Sequence, residues 1–172
     1  MVLNEIALGL TLGIATWTDW KQRKIYNKLL GPAYLIALTL QLWQNGWQGV
    51  WAGLLGSLVG FLLLLIPYLL GGMGAGDVKL LAVIGAFGGM HFAITSFIYG
   101  ASLGGLVSLV ILLKRDALIT TFKHIFLLLP FLRKHQDVSE ALRDTREEKF
   151  PYGIVLVFGT VLAQFLPFTL GW

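Results

Sequence analysis

Long apolar runs alternate with short polar stretches along most of the chain. Apolar residues dominate six segments: 2–18, 29–43, 50–70, 78–87, 92–113 and 152–172. A run of about 20 apolar residues can cross a bilayer as a helix. The stretch 80–113 is too long for one crossing, and Gly88-Gly89 offers the break within it. The pattern predicts an all-α, polytopic membrane protein with about six transmembrane helices, forming a single domain over 1–172.

The basic residues predict how these helices are oriented. All 13 Lys and Arg residues fall within 21–28, at position 79, or within 114–149. Since Lys and Arg collect on the cytoplasmic side, six crossings with both termini outside place all three regions there. Within the predicted cytoplasmic loop 114–149, the apolar segment 117–132 fits a helix on the membrane surface. A short span is the alternative, but it would put basic residues on opposite sides. The expected location is the cell inner (cytoplasmic) membrane, with the lipid bilayer as a partner.

Composition narrows the chemistry. Of the 172 residues, 56% are hydrophobic and 13% charged, about half the charged share of a soluble domain. The chain has no cysteine, which excludes disulfides, a thiol nucleophile and thiolate zinc sites. Its three histidines are scattered. We therefore expect no metal site, no cofactor and no nucleic-acid partner, and the sequence leaves the oligomeric state open.

A glycine-rich stretch, 71–79, interrupts the apolar pattern. It holds four glycines within six residues, followed by Asp77 and Lys79. Glycines allow other groups to approach the backbone closely. An ionisable residue at the edge of a membrane segment marks function by default. The alternative is a glycine turn in which Asp77 caps the next helix.

A second carboxylate, Asp19, follows the first apolar segment. In the predicted topology Asp19 and Asp77 lie at the same membrane depth, at the cytoplasmic ends of the first and fourth helices. Two close carboxyls share a proton because they cannot easily both ionise. One can then activate a water while the other donates to a scissile carbonyl, as in aspartic proteases. Alternatively, Asp19 only neutralises Lys21 or Arg23.

Three motifs in this chain resemble the type IV prepilin peptidases, membrane aspartic proteases of the Gly-x-Gly-Asp class. Gly74-Ala75-Gly76-Asp77-Val78-Lys79 is similar to the second-aspartate motif of that family. Asp19 to Asn27 is similar to its first-aspartate motif, with Tyr26 where the family usually has proline. Pro151-Tyr152-Gly153 resembles the signature that opens the last helix.

The resemblance implies that Asp19 and Asp77 are catalytic. It further implies that Gly74, Gly76, Lys79, Asn27, Pro151 and Gly153 bind substrate or support the site. The implied substrates are prepilin or pseudopilin proteins, whose short basic leader is cut at the cytoplasmic face. The chain is similar to the short forms, such as tight-adherence pilus and preflagellin peptidases, which lack an N-terminal methyltransferase domain. Methyltransferase activity is therefore not expected.

Two other functions stay open on the sequence. A presenilin-like protease would share the glycine-aspartate motif but would cut within the bilayer. An ion-coupled transporter could use a broken helix at 71–79. The transporter would need ionisable groups near the membrane midplane and internal repeats, and neither is evident in the sequence.

Overall fold

A computed structural model describes residues 2–22, 25–69, 73–114 and 152–166, with the backbone alone for Val2 and residues 108–114. In this part of the chain every element is a helix. The four helices are α1 (Val2–Gln22), α2 (Asn27–Leu69), α3 (Ala75–Lys114) and α4 (Tyr152–Phe165). The all-α prediction is confirmed for these residues. The predicted loop 115–149 and Pro151 lie outside the described residues.

Single glycines break α2 and α3. Gly46 has φ 60° and ψ −150°, and Gly89 has φ 78° and ψ −173°. Residues with a side chain rarely adopt such positive φ values, whereas glycine does so without a steric penalty. Each long helix therefore consists of two arms. We call 27–45 and 47–69 the first and second arms of α2, and 75–88 and 90–114 the first and second arms of α3.

The distribution of side chains is that of a membrane protein. In the described part of the chain, α2 and α3 are long and apolar enough to cross a membrane, and α4 is a shorter apolar helix. Large apolar side chains lie on the outside, among them Trp43, which is 86% exposed. The carboxyls of Asp19 and Asp77 are buried instead. Apolar groups outside and polar groups inside suit a surface in contact with lipid.

The chain divides into two compact units. The first comprises Met1–Leu103 and Pro151–Trp172, and the second comprises Gly104–Phe150. The first unit holds the buried core, in which the first arm of α3 contributes Leu80, Leu81, Ile84 and Phe87 with almost no exposed surface. This arm also carries Asp77, so its packing decides where that carboxyl lies.

Glycines bring the second arm of α2 into backbone contact with the first arm of α3. A Cβ added at Gly56 would overlap the carbonyl oxygen of Gly85, and one added at Gly85 would overlap that of Gly56. One turn before and after, a Cβ at Gly53 would lie 2.9 Å from the Ala86 carbonyl oxygen, and one at Gly60 would lie 2.5 Å from that of Leu81. Small residues at this spacing allow membrane helices to pack closely.

The far end of the same arm is held by polar side chains from two other segments. Asn4 Nδ2 on α1 donates to the Phe87 carbonyl oxygen at 2.8 Å, and Gln41 Nε2 on α2 donates to the same oxygen at 2.6 Å. The non-helical backbone at Gly89 follows two residues later. The two amides thus hold the end of the arm next to the break, where a buried carbonyl needs hydrogen-bond partners.

Candidate active site

Asp77 lies in the first turn of α3 and forms a local cap there. The Gly74 N–H donates to Asp77 Oδ2 at 3.1 Å, and the Asp77 N–H donates to the Gly74 carbonyl oxygen at 3.2 Å. Gly74 thus occupies the N-cap position and Asp77 the third helical position, the spacing at which a side chain reaches back to the N-cap amide. The Asp77 side chain is nevertheless buried. A purely solvated cap would not be.

Asp19 lies in the last turn of α1 and is also buried. Among the described residues, its Oδ2 atom has no hydrogen-bond partner within ordinary geometry. The start of α4 lies against it: a Cβ added at Gly153 would be 2.7 Å from Asp19 Oδ2 and 3.1 Å from its Cγ. Only a residue without a side chain lets the carboxyl come this close to the helix start.

The two carboxyls belong to one electrostatic site. Burial raises the pKa of Asp77 to about 6, with the Gly74 amide lowering it and the charge of Asp19 raising it. Burial also raises the pKa of Asp19, and the backbone amides of Ile154 and Gly153 oppose that rise. Such a pair holds a proton in a pH range in which an isolated aspartate would have lost it.

Ile25 is a site residue that we did not predict from the sequence. It lies between α1 and α2 and is half-buried. A Cβ added at Gly76 would be 3.0 Å from Ile25 Cβ, and one added at Gly153 would be 3.0 Å from Ile25 Cδ1. The signal available was a single aliphatic residue inside an otherwise polar, basic connection between Asp19 and Asn27.

Tyr152 is a second residue near the site without a predicted role. It begins α4, is half-buried, and interacts electrostatically with Asp77. The aromatic residue of the motif that opens the last helix is therefore near enough to Asp77 to interact with its charge.

Lys79 and Asn27 come together, as Lys79 Nζ donates to Asn27 Oδ1 at 2.9 Å. In the described part of the chain Lys79 forms no ion pair with Asp19 or Asp77. A cleft of about 250 Å³ lies beside the pair, with mostly apolar walls that include Leu30, Tyr34 and Val83. Lys79 thus joins the starts of α2 and α3 and does not pair with either carboxyl.

The predicted site residues therefore fall into three groups. Asp77 with Gly74 and Gly76 forms the start of α3, Asp19 and Gly153 meet between α1 and α4, and Lys79 pairs with Asn27. Pro151 lies outside the described residues. Within those residues no three His, Asp or Glu side chains gather as metal ligands.

Fold and site together define a helical membrane protein with a pair of buried, interacting carboxyls between the end of α1 and the start of α3. Comparison with known proteins gives the family. The model of the type IV leader peptidase family matches residues 6–109, more than half of the chain. The protein belongs to this family and is a peptidase of the leader-peptidase type. No curated protein and no solved structure matches the chain.

Proposed function

We propose that the protein is an aspartic endopeptidase that removes the short basic leader from type IV prepilin-like or pseudopilin proteins, with Asp19 and Asp77 as its catalytic residues. The observation that carries the proposal is the pair of buried, electrostatically interacting carboxyls on α1 and α3. Both carboxyls lie within the segment that matches the leader peptidase family. Burying acids in a membrane protein is costly, so a functional reason is expected.

The proposed reaction uses one proton held by the pair. We assign the acid to Asp77, whose pKa is raised to about 6, and the base to Asp19, with one proton shared by the pair. Asp19 takes a proton from a water as the water oxygen attacks the scissile carbonyl carbon, and Asp77 gives its proton to the carbonyl oxygen. The resulting diol collapses: Asp19 returns its proton to the leaving nitrogen, a hydroxyl proton goes back to Asp77, and the C–N bond breaks. The pair ends as it began.

The helix starts around the carboxyls suit an extended peptide. Gly74 presents backbone without side-chain bulk beside Asp77, whereas the Cβ position of Gly76 is packed against Ile25. We propose that the protein crosses the membrane several times and that both carboxyls lie at the cytoplasmic membrane edge. The apolar helix of the substrate would then stand in the bilayer and bring its leader junction to that edge. Cleavage there distinguishes this function from a presenilin-like activity within the bilayer. Membership in a peptidase family favours either over an ion-coupled transporter.

The test is cleavage of a co-expressed prepilin. Asp19→Asn and Asp77→Asn are each expected to abolish cleavage while the protein still folds and inserts, because neither amide can exchange the proton. Since the two carboxyls act as a unit, the double variant is expected to be no worse than either single one.

The matched control is Glu5→Gln, which neutralises an exposed acid of α1 and is expected to leave cleavage unchanged. Clear activity in either aspartate variant would refute the two-carboxyl mechanism. Mapping the cut by mass spectrometry to the middle of the apolar helix of the substrate would favour the presenilin-like alternative.

A further inference from the structure

Ile25 packs between the glycine beside Asp77 and the glycine that contacts Asp19. Its Cβ faces Gly76, the residue before Asp77, and its carbonyl oxygen would lie 3.4 Å from a Cβ at the same glycine. Its Cδ1 faces Gly153. A Cβ added at that glycine would lie 3.0 Å from Ile25 Cδ1 and 2.7 Å from Asp19 Oδ2. One side chain thus reaches from the backbone beside one carboxyl to the glycine that contacts the other.

From this geometry we infer that Ile25 is a positioning residue that sets the separation of the Asp19 and Asp77 carboxyls. The inference rests on the proposed function. Both contacts are made to glycines, so neither neighbour has a side chain that could rearrange to fill the space. The backbone at the start of α3 and at the start of α4 therefore packs directly against Ile25.

The chemistry of isoleucine fits a spacer. A β-branched side chain is held in few χ1 rotamers, so the direction in which its Cγ1–Cδ1 arm leaves the backbone is restricted. It adds no hydrogen-bonding group that could compete for the proton of the pair. It also occupies space beside the carboxyls that water would otherwise enter, which helps to keep them desolvated.

The dependence of the pair on Ile25 gives a specific expectation. Ile25→Ala removes both contacts, so the starts of α3 and α4 can shift and the carboxyls separate. A misplacement of about 1 Å can cost about 100-fold in rate. We expect kcat to fall by about 10- to 100-fold, with KM changed much less. Ile25→Val removes only Cδ1 and keeps the β-branch against Gly76, and its kcat is expected to lie between the wild type and Ile25→Ala.

A second measurement needs no substrate. The protonated-carboxyl signal in the infrared spectrum, assigned by its change in Asp19→Asn and Asp77→Asn, is followed against pH in the wild type and in Ile25→Ala. Close carboxyls titrate in two widely separated steps because they repel each other. Moving them apart weakens the repulsion, so the two macroscopic pKa values are expected to approach each other in Ile25→Ala.

The matched control is Leu40→Ala. Leu40 is also a partly buried aliphatic residue packed on the same core, and it precedes Gln41, which bonds to the Phe87 carbonyl at the other end of the α3 arm. Its loss is expected to lower thermal stability without changing the carboxyl titration. An unchanged titration and kcat in Ile25→Ala, or the same changes in Leu40→Ala, would overturn the inference.

The two proposals fail separately. If the aspartate variants still cleave prepilin, the proposed mechanism is wrong. The infrared titration still reports whether Ile25 sets the spacing of the carboxyls. If Ile25→Ala is too unstable to purify, Ile25→Val is the test of the inference. A titration and a rate equal to those of the wild type in Ile25→Val would show that the contact of Cδ1 with Gly153 does not set the separation of the carboxyls.

Discussion

Asp77 and Asp19 are both buried acids, but each faces a different helix start. Asp77 accepts a hydrogen bond from the Gly74 amide of its own helix, whereas Asp19 approaches the start of α4 through Gly153. The start of a helix carries partial positive charge and favours an anion. Burial outweighs that effect at both positions, because the pKa of each carboxyl is raised.

The raised pKa values predict how the rate depends on pH. In the proposed mechanism the singly protonated pair is the active form, so activity is expected to fall at low pH as the base gains a proton and at high pH as the acid loses its own. With the pKa of Asp77 at about 6, the alkaline limb of kcat/KM, which reports the free enzyme, is expected near that pH. A bound peptide excludes more water, so the alkaline limb of kcat should lie higher.

These limbs are measured with a purified enzyme and a synthetic leader peptide. A metal chelator provides the control and is expected to leave the profile unchanged. A kcat/KM that stays flat across about pH 5 to 8 would contradict a shared proton.

The two carboxyls differ in how far the sequence could predict them. The cap at Asp77 is visible in the sequence because its partner, Gly74, is three residues away. The contact between Asp19 and Gly153 joins positions far apart in the chain and was not predicted, since the resemblance implied only that both residues belong to the site. The role of Ile25 escaped prediction because an aliphatic residue in a polar connection carries no sign of which glycines it will meet.

Among the described elements, the first arm of α3 is closely packed along its length. It lies in backbone contact with the second arm of α2 at Gly56 and Gly85. Gly56→Ala is therefore expected to destabilise the fold by about 1–3 kcal/mol or more, the usual cost of overpacking, and to lower the midpoint of thermal unfolding in detergent.

Gly9→Ala serves as the control for this prediction. Gly9 lies in α1, and a Cβ there would meet nothing within 4 Å. Its replacement should leave the midpoint unchanged or raise it, since alanine favours a helix over glycine by about 1 kcal/mol. Equal midpoints in the two variants would show that the close packing contributes nothing.

In the described residues the helical class and the two breaks agree with the sequence pattern, whereas the contacts between helix faces could not be predicted. A positive φ at Gly89 falls where the length of the apolar run required a break, and the one at Gly46 falls between two predicted helices. By contrast, Gly53, Gly56 and Gly60 look like any glycines in an apolar segment. Which glycine meets a neighbour depends on the rotation of each helix, and the apolar pattern in a membrane leaves that rotation undetermined because lipid also accepts apolar faces.

At the scale of the whole molecule, the orientation in the membrane remains a prediction. The sequence contains no cysteine, so single cysteines can be introduced without background. Gln22→Cys is expected to react with an impermeant thiol reagent only from the cytoplasmic side, and Asn45→Cys only from the outside, because both side chains are exposed. Labelling of both cysteines from the same face would contradict the six-crossing topology. The control repeats the assay on membranes opened with detergent, in which both cysteines should react.

The anchoring of the first arm of α3 at both ends has a consequence for how this segment can change. The proposed mechanism requires Asp77 at one end to meet Asp19, and the Phe87 carbonyl at the other end is held by Asn4 and Gln41. A helix turns by about 100° and rises about 1.5 Å for each residue, so one inserted residue would turn Asp77 away from its partner or pull Phe87 off both amides. Side chains along the arm can be exchanged within the limits of packing, but the number of residues between these two ends is fixed.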